Sequence, residues 1–165
     1  MGMDVHGLNP NQNKKLSDFP IYYKFSNMDF RERWEELDRE ENKETKEQYH
    51  QEWDEFENSN PGVYFRNNVW WWRPLWNYCY FIADDLISEE LWDNGHSNSG
   101  EGLNDKDAKL LGNRLLQKIR EGDVERFKKL HEEQEENEKY KYPFDADNVK
   151  AFAEFCIESG GFEIC

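Results

Sequence analysis

The sequence predicts a mainly α fold of the α+β kind: a single compact helical domain with a small β element and an acidic helical insertion at 28–58. Apolar residues recur every three or four positions over 105–121 and 146–158, the spacing of one helical face. The run 63–73 (VYFRNNVWWWR) is instead rich in β-branched and aromatic residues, and Phe162–Cys165 forms a second, terminal candidate for a short strand or tail. Upstream, Asp29 to Phe56 is almost wholly charged, yet it places Trp34 with Leu37, and Tyr49 with Trp53 and Phe56, on helical faces.

In chain order, residues 1–27 read as irregular or extended, with a turn at Asn9-Pro10. The charged stretch reads as one long helix or as two helices with a break near Asn42, ended by Asn58-Ser59-Asn60-Pro61-Gly62. Residues 63–73 suggest a short strand, a turn and a second short strand, with the polar Asn67-Asn68 pair inside. Pro74 suits the first turn of a helix running to Trp92, with Leu75, Cys79, Ile82 and Leu86 along one face. The loop 93–102 follows, and Asn104 or Asp105 caps the next helix, with Gly122 just past its end. A polar helix is expected from Asp123 to Lys139. Asp145 or Asp147 caps the last one, which Ser159-Gly160-Gly161 stops.

The 165 residues are one domain's worth of chain, enough to bury a core. Only 36% are apolar, but 16% are aromatic and seven are tryptophan, which separates the chain from disordered sequences. A formal charge of −15 repels phosphate backbones, so direct nucleic-acid binding is not expected. Acidity favours solubility and attraction to basic surfaces. Three cysteines (Cys79, Cys156, Cys165) form no CxxC pattern, and no apolar run approaches bilayer length. With no signal-peptide pattern at the N-terminus, the expected compartment is a reducing cytoplasm.

The tryptophan block carries the candidate site. Neighbouring strand residues point to opposite faces, so Trp70, Trp71 and Trp72 cannot all enter one core. An indole left at the surface beside Arg66 and Arg73 stacks a planar group, while the guanidinium groups grip phosphate or carboxylate. Asn67, Asn68 and His96 complete this candidate ligand-binding set, His96 from a Gly/Ser/Asn loop that leads towards a helix N-terminus. The competing reading is that the rings simply build the core and the arginines pair with surface carboxylates. His50 and His131 read as solvated. No GxSxG, HExxH or paired Cys–His signature is present, and no cofactor or metal is implied.

Three phrases carry a resemblance: the opening Met1-Gly2-Met3-Asp4-Val5-His6-Gly7, the block Tyr64-Phe65-Arg66-Asn67-Asn68-Val69-Trp70-Trp71-Trp72-Arg73-Pro74-Leu75-Trp76, and the ending Ser159-Gly160-Gly161-Phe162-Glu163-Ile164-Cys165. They are similar to a family of small proteins encoded by phages and bacteria. Many members of that family run from the opening phrase to the tryptophan block with far fewer residues between. The resemblance thus implies that the stretch from about Asn11 to Asn60 is an insertion, and that the protein acts in phage–host conflict. It implies no activity. Two expectations follow for the host cytoplasm. One is a non-enzymatic counter-defence protein that sequesters a small anionic, nucleotide-like ligand. The other is an acidic inhibitor, anti-CRISPR-like, that docks on a basic host protein in place of nucleic acid.

Overall fold

The computed structural model describes residues 2–135 and 142–165 and divides the chain into two compact units, Met1–Asn11 with Pro61–Cys165, and Gln12–Asn60. The first unit holds a four-stranded antiparallel sheet in the order β2-β1-β4-β3, made of β1 (Gly2–Gly7), β2 (Tyr64–Asn68), β3 (Glu101–Asn104) and β4 (Gly161–Ile164). Met3 and Val5 point inward, as do Phe162 and Ile164, while Asp4, His6 and Glu163 alternate to the other face. Of residues 1–27, expected to be irregular or extended, 2–7 are extended: β1 forms because its inward residues are apolar and it pairs with a strand on each side.

Against the inner face lie α4 (Val69–Ile82), α6 (Asp105–Arg120) and α8 (Ala146–Glu158). Phe152 of α8 meets Phe65, Phe162 and Trp72 at ring separations of 5.0, 5.8 and 5.5 Å. Helices α6 and α8 approach closely at Gly112, where any Cβ would sit 2.6 Å from the carbonyl oxygen of Ala153. Gly160, at φ +66°, turns the chain from α8 into β4, a conformation that an L side chain resists. The expected caps of α6 and α8 form on Asn104 and Asp145, whose side chains accept from Asp107 N and Asn148 N.

The tryptophan block departs from the strand–turn–strand expectation. Asn68 closes β2 and caps α4, its Oδ1 accepting the N–H groups of Trp70 and Trp71, both at 3.1 Å. Helix thus begins at Val69, and Pro74 lies inside it rather than in its first turn. The expected helix to Trp92 is also broken, because α4 ends at Ile82 and α5 is the short piece Glu89–Asn94. Three indole N–H groups stitch α4 to this piece. Trp72 donates to Gly95 O (2.7 Å), Trp76 to Trp92 O (3.0 Å), and Trp92 to Asn77 Oδ1 (2.9 Å). Helix α7 (Asp123–Glu135) follows Gly122, at φ +75°; its expected extension to Lys139 falls largely outside the described residues.

The second unit begins with α1 (Pro20–Ser26), unread in the sequence, where Glu52 Oε2 accepts the N–H groups of Ile21 and Tyr22 at 2.8 Å. Helices α2 (Phe30–Leu37) and α3 (Lys43–Ser59) then take the two-helix form, split near Asn42. Its core is Phe25, Leu37 and Tyr49, with Ile21, Tyr22, Met28, Trp34 and Trp53 partly buried around it. Buried Asn60 joins the two ends of the unit. Its Oδ1 accepts from Asn13 N (2.8 Å) and Lys14 N (3.2 Å), and its Nδ2 donates to Lys14 O and Phe56 O. The unit spans 12–60, wider than 28–58.

Trp72 and Trp70 separate core from surface. Trp72→Ala, at a fully buried site, is expected to lower the unfolding free energy by about 3–5 kcal/mol in urea titration. Trp70→Ala, at 48% exposure, should stay within about 1 kcal/mol of the parent.

Candidate functional site

Helical geometry, not strand alternation, distributes the tryptophan block. Residues of a helix advance by 100° each, so Trp70, Trp71 and Trp72 face three directions. Trp72 joins Leu75, Trp76 and Cys79 on the core stripe, where it is fully buried and lies 5.3 Å from the near-parallel ring of Trp76. It lines no binding surface, which corrects its inclusion in the candidate set. Asn68 is spent as the helix cap.

Arg66 and Arg73 lie on different elements. Arg66, on β2, projects to the solvent side of the sheet, where its Nε is 3.4 Å from Asp4 Oδ1; Tyr64 donates its hydroxyl to the same carboxylate. Asn67 and Trp71 line a shallow recess of about 250 Å³ with Asp145, Asp147 and Asn148. Asn67 and Asn148 exchange side-chain amide bonds of 3.0 and 2.9 Å across it. Two carboxylates at this recess oppose an anion by Coulomb repulsion. It suits a hydrogen-bond donor instead.

Of the remaining three candidates, Trp70 and Arg73 lie on the outer side of α4, and His96 lies in the loop after α5. The Trp70 ring stacks on Tyr142 with centroids 5.3 Å apart and planes inclined by 28°. Arg73, one turn further along and exposed, reaches the Tyr142 hydroxyl with Nη1 at 3.5 Å. Among the described residues no carboxylate pairs with Arg73, although the chain carries 36 of them. His96 lies close enough to Arg73 to feel its charge. Its ring meets Trp92 edge-on at 5.0 Å, and its Nδ1 is buried with no hydrogen-bond partner among the described residues. Burial first, and then the positive field of Arg73, hold the imidazole below its ordinary value, with Asp93 opposing.

The His96 loop does not open directly onto a helix, as the sequence suggested. Strand β3 intervenes, and the N-terminus of α6 is taken by Asn104. His50 and His131 also differ from expectation, since both are half-buried against aromatic rings. Tyr142 gave no sequence signal, lying 72 positions from Trp70 beside Pro143. Burial pushes the Cys79 and Cys156 thiols up, which keeps both protonated and unreactive. Among the described residues no three His, Cys, Asp or Glu side chains gather as a metal site, and no helix is long and apolar enough to cross a membrane.

The depressed His96 has a measurable consequence. The unfolded chain binds this proton more tightly than the native one, so His96 withdraws stability as the pH falls below 6.5. Proton NMR should place its midpoint below that value in the folded protein. Arg73→Gln should move the midpoint up only part of the way, because burial is the larger cause. Comparison with family models, curated proteins and solved structures returns no match.

Proposed function

We propose that the chain is a non-enzymatic binding protein that holds a planar anionic group, nucleotide-like in class, against the outer face of α4. Arg73 supplies the charge, the stacked pair Trp70 and Tyr142 supplies an aromatic platform, and His96 flanks them. The observation that supports this most is the state of Arg73. Among the described residues this guanidinium has no carboxylate partner, and it lies beside the exposed Trp70 and half-buried Tyr142 rings, 3.5 Å from the Tyr142 hydroxyl. Guanidinium groups bind phosphate and carboxylate through planar, bidentate hydrogen bonds, and indole faces stack bases.

Arg66, Asn67 and Trp71 have no part in this surface, because the first is paired with Asp4 and the other two share a recess with Asp145 and Asp147. The setting proposed is the cytoplasm of a phage-infected cell, where sequestering a signalling nucleotide counters defence. The setting is suggested by the resemblance carried by the opening, tryptophan-block and closing phrases of the sequence. The charge of −15 argues against a polynucleotide, whose many phosphates multiply the repulsion, and leaves a small ligand as the fitting class.

Calorimetry against mononucleotides and cyclic dinucleotides is the test. A ligand is expected to bind the parent, to weaken at least about tenfold with Arg73→Ala, as befits the loss of a charged hydrogen bond, and to weaken with Trp70→Ala. No heat from any member of the panel, or equal binding by Arg73→Ala, would retire the proposal.

A further inference from the structure

The second unit shows a surface that the reading above does not use. From Tyr22 to Phe30 its rings form a row rather than a buried cluster. Phe30 meets Trp34 at 6.3 Å, Trp34 meets His50 at 6.0 Å, His50 meets Trp53 at 6.3 Å, and Trp53 meets Tyr22 at 6.2 Å. The last two pairs are close to parallel, with planes 20° and 2° apart. Buried Tyr49 supports the row from beneath, 6.2, 5.5 and 6.0 Å from Trp34, His50 and Trp53. Above, Phe30 is 72% exposed and the middle rings keep part of their surface in solvent.

The row lies on strongly acidic helices. Residues 12–60 hold fourteen carboxylates against eight lysines and arginines. Several cations are already engaged within the unit. Arg33 donates to the carbonyls of Phe25, Ser26 and Met28, Arg39 pairs with Glu36, and Lys46 pairs with Asp38. Lys46 Nζ also stands 6.0 Å above the Trp34 ring, so one ring of the row already faces a cation. Exposed aromatic faces bordered by carboxylates attract positive groups twice, through the ring quadrupole and through ion pairing.

We infer that this face docks an arginine-rich surface of another protein, with guanidinium groups stacking along Phe30, Trp34 and Trp53 and pairing with the carboxylates around them. Arginine fits better than lysine because its planar head stacks and pairs at once. The inference stands on residues 12–60 and is independent of the Arg73 surface.

The test uses the full chain and an octa-arginine peptide, followed by tryptophan fluorescence at low salt, with octa-lysine alongside. A charge of −15 attracts any polycation, so the deciding variants keep the charge: Phe30→Ser, at an exposed site, and Trp53→Leu. Each ring removed is expected to weaken octa-arginine about two- to fivefold, the worth of an exposed cation–π contact, and octa-lysine should bind more weakly than octa-arginine. Equal binding by Phe30→Ser, or equal affinity for the two peptides, would reduce the effect to net charge and overturn the inference. So would a concentration-dependent dimer in sedimentation that Phe30→Ser abolishes, since the occupant would then be a second copy.

Discussion

The side chain of Asn68 sets the direction of nearly everything that follows it. Its oxygen accepts two N–H groups at the point where β2 ends, which starts a helix with Val69 as the first residue. Helical rotation then assigns each later ring a heading. Trp72 and Trp76 turn to the core and fasten α4 to the segment at Trp92–Gly95, while Trp70 and Arg73 turn outward beside Tyr142. Had the strand run on, alternate tryptophans would have shared a face, and Trp70 and Trp72 could not have parted.

That junction also marks where the sequence was misleading. Val69-Trp70-Trp71-Trp72 has the β-branched and bulky character of a strand, and Pro74 is a natural helix opener. Asn68 was the missed signal, since an asparagine whose oxygen reaches the next N–H groups is a cap. The helices at 105–120 and 146–158 were legible because their apolar spacing and caps agree. Strand β3 was not, and β1 only as extended chain. Each is short, and its identity comes from partners distant in the chain, as when Leu103 pairs with Phe162. The candidate residues are parted for the same reason. Trp70 and Arg73 share one side of α4, Tyr142 joins them only through folding, and Arg66 is carried off to the sheet by its pairing with Asp4.

The two units answer differently to the abundance of aromatic residues. In the first, the buried rings that carry N–H or O–H groups find partners, as Tyr78 does with Asp123 at 2.8 Å. In the second, Phe25, Leu37 and Tyr49 are buried together, Phe19 and Phe56 are buried as well, and Tyr22, Trp34 and Trp53 are partly buried around them. Asn60 closes that short segment on itself by binding both ends, which lets 49 residues hold a shape on a small apolar centre.

Pro74 adds a property to α4 that no side chain supplies. Its ring nitrogen carries no hydrogen, so the Trp70 carbonyl is deprived of the donor four residues on. The helix therefore lacks one backbone bond in the turn that carries Arg73, a local loosening that a donor from outside the helix can offset.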